Sequence, residues 1–489
     1  MHPYAELKGG RKRRFFVRID KLGNPDDAIE SYSPNEVSKY DLDNIDTQVK
    51  KLLLPLSVVA TDGLKDWIDR FARTKWLQSS VDLSNIDLYD KIRNDFMNTY
   101  TKENKPLYNL QEYEFNAIVL PSTLGLDAVA TIFEKLNTSG VELNIFEILT
   151  AKFFKNVNLR EKWDETKTRN PIIAKFGKDD KDTSIAILIL KTILLLKNPS
   201  TGPAFEIKGE CKRSSLLNDL SSADVMTHWD RVATIFGQVL VKLENDYGVL
   251  ARKYMPYDTM LVTLAVVFDY VERLVPATSK SKAFAKIRSW YWTSVFANRY
   301  DSSTDTKSKD DAEDIVEWIS DSTKVPSYVS SFKPEEVNLR EATRGAVYTG
   351  VLNHLFMNGI QDFVTGENIR TLVQSSPSVV DEHHIFPQKY LKRHYGDKSD
   401  EFTRLRNSVV NMTVIKDETN RNYIKDEAPS TYLASVDIAK QLPNIEDNHL
   451  IPTDVVRTVE DPATRKQFID FVNAREASLR NLIGKSVVV

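Results

Sequence analysis

The sequence has 489 residues, which is too long for one hydrophobic core, and its hydrophobic content of 41% is ordinary for a globular protein. The formal net charge of −3 is close to neutral, so any contact with nucleic acid must be confined to a local basic patch. A single cysteine, Cys211, excludes an internal disulfide and a cysteine-rich zinc site. We interpret Cys211 as a packing residue.

Membrane association is not expected from the sequence. The longest apolar run, Ile185 to Leu196, is shorter than the roughly 20 apolar residues that a membrane-spanning helix needs. The N-terminal residues contain no apolar stretch of the kind found in a signal peptide. We therefore expect a cytoplasmic protein that has no membrane partner.

The N-terminal third combines strand and helix patterns. Aromatic and β-branched residues predict a strand from Arg14 to Leu22, and alternation predicts a second strand from Tyr113 to Leu120. Apolar residues at helical spacing from Leu126 to Leu136 predict a helix. Asn144, with Glu147 three residues later, predicts the N-terminal cap of the next helix.

The middle of the sequence is mostly helical. Its clearest helices are predicted at Ile185–Leu196, Met260–Val275 and Phe284–Phe296. The aromatic run Trp290–Trp292 in the last of these is interpreted as core. The polar, acidic stretch from Asp301 to Asp314 is predicted to be a loop that leads into another helix.

The pattern changes between Pro377 and Leu433. A short β-like piece, a turn region and a second β-like piece from Asn411 to Ile415 precede a polar run that ends at Pro429. Beyond this segment, Arg465–Ile483 is predicted to be an amphipathic helix that supports the preceding region.

The residues that suit hydrolytic chemistry lie in the same segment. His383 and His384 are adjacent, and Asn411 and Asn420 follow them in the sequence. Neighbouring side chains of a strand point to opposite faces, so both histidines can serve one site only where the backbone bends. A histidine can deprotonate water near neutral pH, and a divalent cation can relieve the charge on a phosphate. The set therefore suits a hydrolytic site.

The three blocks HHIFP, NMTVI and ETNRNYIKDEAPS, in this order, resemble the HNH, or ββα-metal, nuclease finger, which would span about residues 378–434. The resemblance implies that His384 is the general base. It also implies that His383 is one metal ligand and that Asn420 is the second. Asn422 is a competing choice for this second ligand, and Asn420 is preferred.

The same resemblance implies further roles in this segment. Asn411 would hold the loop around His384 through backbone hydrogen bonds, while Arg421 and Lys425 would contact phosphates. With few protein ligands, the expected cation is Mg²⁺ or Mn²⁺, which keeps much of its coordination for water and phosphate. The remaining histidines are isolated and are interpreted as structural: His2, His228, His354, His394 and His449.

The resemblance extends beyond the finger. The block Ile132–Leu143 looks like a conserved block of the DGQQR-domain family, and Ala297–Ser303 and Ile360–Phe363 fit that family's middle section. The family includes GmrSD-like modification-dependent (type IV) restriction enzymes of anti-phage defence. The resemblance implies a DNA endonuclease whose partner is modified phage DNA.

One departure from the family concerns nucleotide binding. The D-G-Q-Q-R motif is absent, and the nearest string, Thr61–Leu64, is not that motif. The chain thus looks like a family member without its first section, and NTP dependence is in doubt. A partner chain could supply that section, or the chain could form a homo-oligomer. The alternative is a non-catalytic DNA-binding or regulatory remnant that needs such a partner.

The predicted fold class is α+β and mainly α-helical. Residues 1–160 would be the remnant of a ParB/sulfiredoxin-like DGQQR domain, and residues 161–340 a helical middle region. Residues 341–489 would form the HNH-type nuclease domain that contains the finger.

Overall fold

A computed structural model gives the fold of this chain. It describes residues 5–7, 11–22, 28–59, 61–79, 86–103, 105–111, 132, 144–177, 179, 182–197, 207–395, 400–458 and 466–487. The chain divides into two compact units, residues 1–121 and 122–489. The predicted domain limits at residues 160 and 340 stay a prediction.

The first unit contains an antiparallel sheet. Its central strand is β2, which pairs with β1 through Arg11–Arg13, with β3 through Arg14–Val17 and with β4 through Phe16–Arg18. The strands are β1 Ala5–Leu7, β2 Arg11–Arg18, β3 Ile29–Tyr32 and β4 Leu53–Pro55.

The strand predicted from Arg14 to Leu22 is correct in its first half only. After Arg18 the chain enters a 3-10 helix, Ile19–Lys21. The Asp20 carboxylate accepts hydrogen bonds of 2.9 and 2.7 Å from the Arg18 guanidinium, and this local ion pair accompanies the turn. The prediction erred because β-branched composition does not reveal where such a turn ends a strand.

Helices pack against this sheet around a small core. Val17, Leu54, Trp67, Ile68 and Phe96 are buried in it. The helices are α1 Pro34–Lys39, α2 Ile45–Lys51, α3 Leu56–Val59, α4 Gly63–Ser79, α5 Ile86–Tyr100 and α6 Pro106–Gln111. The assignment of this unit as ParB/sulfiredoxin-like stays a prediction.

From Asn144 onward, the described part of the second unit is a helical region. Its helices are α7 Ile145–Phe153, α8 Leu159–Arg169, α9 Pro171–Lys175, α10 Ser184–Leu196, α11 Arg213–Asn218, α12 Ser222–Asp246, α13 Met260–Leu274, α14 Lys280–Phe296, α15 Thr304–Ser320, α16 Ser327–Ser330, α17 Gly345–Met357 and α18 Ile369–Ser375. The predicted helices at Ile185–Leu196, Met260–Val275 and Phe284–Phe296 are confirmed within a few residues.

Two local predictions in this region are also confirmed. The Asn144 side chain accepts from the Glu147 backbone N–H at 3.1 Å, and the Glu147 carboxylate accepts from the Asn144 N–H at 2.9 Å. This reciprocal cap begins α7. The aromatic run Trp290–Trp292 is buried in the core of the unit, as expected.

The predicted loop from Asp301 to Asp314 is wrong, because α15 already begins at Thr304. Asp311 explains the difference. Its buried carboxylate accepts from the Arg299 guanidinium at 2.6 Å and from the Trp290 indole at 2.9 Å. These tertiary partners compensate the burial of an acid that sequence reasoning assigns to a solvent-exposed loop.

A two-stranded antiparallel hairpin follows the helical region. Strand β5, Val380–His384, pairs with β6, Met412–Lys416, from Val380 opposite Lys416 to His384 opposite Met412. After β6 comes a π-helix, Thr419–Ile424. The later helices are α21 Pro429–Tyr432, α22 Val436–Ala439, α23 Leu442–Asp447, α24 Thr453–Val456 and α25 Lys466–Val487.

The connection between β5 and β6 was predicted as a turn region, and this is wrong. It contains two helices, α19 Gln388–Tyr395 and α20 Asp400–Asn407. Tyr390 and Leu391 of α19 are buried, so one side of this helix belongs to the core. The predicted helix at Arg465–Ile483 is confirmed as α25.

Together these elements make the fold α+β and mainly helical, as predicted. No helix in the part of the chain that the structure describes has both the length and the apolar character required to cross a membrane. The strand predicted at Tyr113–Leu120 lies outside the described residues. The same holds for all but Ile132 of the predicted helix Leu126–Leu136 and of the block Ile132–Leu143.

A buried histidine in α17 makes the stability of the second unit depend on pH. The Nδ1–H of His354 donates to the Gly350 carbonyl at 2.9 Å, and its ring lies against Trp292 and Phe296. Burial lowers the pKa of His354 from 6.5 to about 4. Below pH 6.5 the unfolded chain therefore binds a proton that the folded chain does not, and stability is lost as the pH falls toward 4.

We expect His354→Leu to weaken this acid dependence. Between pH 6.5 and 4, the free energy of unfolding of the unsubstituted chain should fall by about 1 kcal/mol per pH unit more than that of the variant. Urea unfolding followed by tryptophan fluorescence at several pH values measures both slopes. Equal slopes in the two proteins would contradict the assignment.

Candidate active site

The candidate site is built on the hairpin of β5 and β6. His383 and His384 are the last two residues of β5, opposite Thr413 and Met412 of β6. The backbone leaves the strand directly after His384, and α19 begins four residues later at Gln388. Both histidines line one open cleft of about 700 Å³, so the bend that the sequence required is present.

His383 is the more deeply buried of the pair, with 3% of its surface exposed. Its Nδ1 lies 2.8 Å from Oδ1 of Asn420, and since an amide oxygen only accepts, Nδ1 carries the proton in this arrangement. Nε2 is buried and contacts no hydrogen-bonding partner in the described part of the chain. Burial lowers the pKa of His383 to about 3, so its ring is neutral.

A buried carboxylate, that of Asp362, holds the start of the π-helix that carries Asn420. Asp362 is fully buried and accepts from the Lys416 backbone N–H at 2.9 Å and from the Thr419 hydroxyl at 2.7 Å. These bonds fix the end of β6 and the first residue of the π-helix. The Asn420 amide nitrogen also donates to Asp381 at 3.2 Å, which orients its oxygen toward His383.

His384 is only partly buried and is surrounded by two amides. Its Nε2 lies 3.0 Å from the Gln388 amide nitrogen and 3.3 Å from Oδ1 of Asn407. Gln388 also donates to Asn407 at 2.6 Å, so the three side chains form one cluster. Burial, together with the nearby Arg406 charge, lowers the pKa of His384, whereas the bond to Asn407 opposes this shift. The ring is therefore neutral at neutral pH.

Asn411 clamps the backbone that follows the histidines. It is fully buried, its oxygen accepts from the Phe386 N–H at 2.9 Å, and its amide nitrogen donates to the carbonyls of Phe386 and Arg406 at 3.1 and 2.9 Å. Its own carbonyl accepts from the Ile385 N–H at 2.9 Å. These are backbone hydrogen bonds of the kind expected for Asn411, and its part in a reaction stays a prediction.

A buried arginine supports the clamp from α25. The Arg475 guanidinium is fully buried and donates to the Val410 carbonyl at 2.6 Å and to the His449 carbonyl at 3.1 Å. Burial lowers the pKa of Arg475 to about 9. Arg475 thus connects α25 to the residue before Asn411, in agreement with the predicted supporting role of this helix.

The walls of the cleft carry several charged side chains. Arg421 and Lys425, which were predicted to contact phosphates, both line it and are exposed. Lys389 and Lys392 of α19 line it as well, together with the acids Glu382 and Asp426. Asn422 is exposed on the π-helix but is not among the residues lining the cleft.

The donor set fits a hydrated cation better than a closed metal cage. Within the described residues, no three histidine, cysteine, aspartate or glutamate side chains converge on a metal-binding position. His383 and Asn420 place an imidazole nitrogen and an amide oxygen side by side, and they would supply two ligands while water and phosphate fill the other positions around magnesium. A neutral His383 is also competent to bind a metal once its proton moves to Nε2.

The isolated histidines that the structure describes have structural surroundings. The His449 ring is buried, and its two nitrogens lie 2.6 Å from the Thr413 hydroxyl and 2.8 Å from the Gln361 carbonyl. His354 is buried among aromatic rings, and His228 is half-buried on α12. His2 and the side chain of His394 lie outside the described residues.

Sequence reasoning missed four residues that shape the site. Gln388 and Asn407 surround His384, while Asp362 and Arg475 fix the backbone beneath it. Two of them lie close to the recognised blocks, because Gln388 directly follows HHIFP and Asn407 lies four residues before Asn411. Asp362 and Arg475 are distant in sequence, and their types are common on protein surfaces.

Comparisons with known proteins identify a similar protein, but the activity of that protein is uncharacterized. No family model matches the chain, and no solved structure matches it significantly. The chain is 30% identical over 339 residues to an uncharacterized protein of Methanocaldococcus jannaschii, and this match covers 67% of the chain and 53% of the relative. The chain thus spans about half the length of the curated relative that it matches.

We expect Asn411→Ala to destabilise the second unit by about 2–4 kcal/mol, because the Phe386 N–H and two carbonyls would lose their buried partner. The matched control is Asn422→Ala, which removes an exposed amide and should change stability by about 0.5 kcal/mol or less. Urea unfolding measures both variants. Similar small losses in the two proteins would show that the clamp contributes little.

Proposed function

We propose that the chain is a divalent-metal-dependent DNA endonuclease of the HNH type, which hydrolyses phosphodiester bonds. The observation that carries this proposal is the common cleft at the end of the β5–β6 hairpin. It brings together a neutral, partly exposed histidine, a histidine–asparagine pair and four cationic side chains.

His384 is the general base of the proposed reaction. It takes a proton from the attacking water, which requires a neutral ring, and its lowered pKa provides one at neutral pH. Gln388 and Asn407 restrict the orientation of the imidazole through their contacts with Nε2. Asn411 holds the backbone beyond His384 and so limits movement of the ring.

His383 and Asn420 would hold the cation, Mg²⁺ or Mn²⁺. When bound, such an ion supplies Lewis-acid relief of the charge on the phosphate and the leaving oxygen. Asp381 keeps the Asn420 amide oriented, and Asp362 keeps the π-helix that carries it in place. Arg421 and Lys425 would bind the flanking phosphates of the substrate.

The biological role proposed is cleavage of modified phage DNA in a GmrSD-like type IV restriction system within the cytoplasm. This part rests on the resemblance of the HHIFP, NMTVI and TNRN blocks and of the upstream segments to that family. As partner, the resemblance suggests a homo-oligomer or a second chain.

One observation favours a second candidate, a non-catalytic DNA-binding or regulatory protein. The atoms that would bind the cation are bonded to each other, and the Gln388 amide lies against Nε2 of His384. A site whose polar atoms satisfy one another can persist as a structural cluster. Such a protein would retain the basic cleft and bind DNA without cutting it.

We expect metal-dependent cutting of phage DNA that His384→Ala reduces at least 100-fold, because loss of a general base typically costs about 10²- to 10⁴-fold. The assay compares unmodified and modified DNA with Mg²⁺ or Mn²⁺, with and without NTPs. His228→Ala is the matched control, because His228 lies on α12 and does not line the cleft.

The outcomes separate the two candidates. Cutting that His384→Ala abolishes and His228→Ala preserves would support the nuclease, and any NTP effect would show nucleotide control. A folded chain that binds DNA but cuts none of the substrates would favour the non-catalytic protein.

The choice of second ligand is tested by a pair of asparagine variants. We expect Asn420→Ala to raise the Mn²⁺ concentration needed for half-maximal cutting at least tenfold, because it removes a proposed ligand. Asn422→Ala should leave this concentration unchanged, since Asn422 does not line the cleft. Titration of cutting rate against Mn²⁺ measures both, and the reverse pattern would transfer the ligand role to Asn422.

A further inference from the structure

We infer that α19 forms a second phosphate-binding wall of the cleft, in which Lys389 and Lys392 bind the DNA backbone together with Arg421 and Lys425. The inference rests on the proposed function, because it takes DNA as the occupant of this cleft. It adds a binding surface contributed by a helix that is inserted between the two strands of the hairpin.

The position of α19 is fixed by its buried side. Leu391 is fully buried and Tyr390 is 6% exposed, and Phe386, just before the helix, packs against Phe468 and Phe471 of α25. The helix also begins directly after the segment that Asn411 clamps. Its lysines are therefore presented to the cleft by an anchored element rather than by a free loop.

The cations of the two walls have few acidic partners. In the described part of the chain, no carboxylate forms an ion pair with Lys392 or Lys425. Arg421 has only loose pairs with Asp381 and Asp417, at 3.8 and 3.6 Å. Four cations from two elements that line one cleft suit a ligand that carries several negative charges along its length.

One ion pair joins the two walls. The Lys389 ammonium lies 2.8 Å from the Asp426 carboxylate, which directly follows Lys425 in the sequence. With side chains that are 74% and 40% exposed, this pair contributes little stability and is open to competition. A backbone phosphate entering the cleft can replace Asp426 as the partner of Lys389.

The remaining acid of the cleft is already engaged. The Glu382 carboxylate accepts a hydrogen bond of 2.7 Å from the Tyr348 hydroxyl. Duplex DNA carries about one negative charge per 1.7 Å of helix axis, so one molecule can neutralise cations on both walls at once. A small phosphorylated molecule cannot do this with the same number of contacts, and DNA is therefore the occupant that we assign.

The test measures DNA binding without relying on cleavage. In a His384→Ala chain, the affinity for a fluorescent DNA duplex is measured over a range of salt concentrations. Lys389→Gln and Lys392→Gln should each reduce the slope of log affinity against log salt by about 0.9, and the affinity at 0.1 M salt by about eightfold. The matched control is Lys440→Gln, which changes an exposed lysine outside the cleft and should leave the slope unchanged.

A second variant tests the ion pair itself. Asp426→Asn removes a negative charge from the cleft and releases Lys389, so affinity for the duplex should rise. If the affinity falls, or if it stays unchanged, Asp426 does not compete with the DNA backbone and the inference is overturned.

The DNA-binding measurements test the second wall independently of the cutting assay that tests the nuclease. Reduced slopes in both α19 variants support the second wall even if the unsubstituted chain cuts no DNA. Unchanged slopes, an equal loss in Lys440→Gln, or no binding at all overturn the second wall, whatever the cutting assay shows.

Discussion

The fully buried guanidinium of Arg475 attaches α25 to the residues before β6, and the arrangement of the site depends on how its charge is stabilised. Arg475 meets no carboxylate in the described structure, and its charge is stabilised by the carbonyls of Val410 and His449. Burying a charge in this way is costly unless those acceptors stay in place. The arginine therefore fixes the residue before Asn411 to α25, and its positive charge helps to keep His383 and His449 neutral.

Around the histidines, buried polar side chains hold the backbone through hydrogen bonds. Asn411 holds the backbone of Phe386, and Asp362 holds the start of the π-helix that carries Asn420. Each of these groups would be unfavourable in the core without its partners, so each contact restricts the backbone that it holds. These restrictions give the hairpin a defined geometry around His383, although it has only two short strands.

The elements that the sequence predicted well are those decided by local pattern. Apolar spacing located α10 and α25, and the reciprocal bonds of Asn144 and Glu147 follow from their spacing at a helix start. The errors lie where tertiary partners override composition. The acidic stretch around Asp311 is helical because Arg299 and Trp290 bind its carboxylate, and α19 and α20 replaced a predicted turn because one side of α19 enters the core.

For the candidate site, the sequence by itself determined which residues have suitable chemistry and in what order they occur: His383, His384, Asn411 and Asn420. The sequence could not determine their surroundings, because burial and partners depend on segments far apart in the chain. Only the tertiary structure decided that His383 is bonded to Asn420 and that Gln388 and Asn407 surround His384. It alone decided that the lysines of α19 share a cleft with Arg421, because a helix inserted between paired strands takes its position from packing, which a linear pattern does not encode.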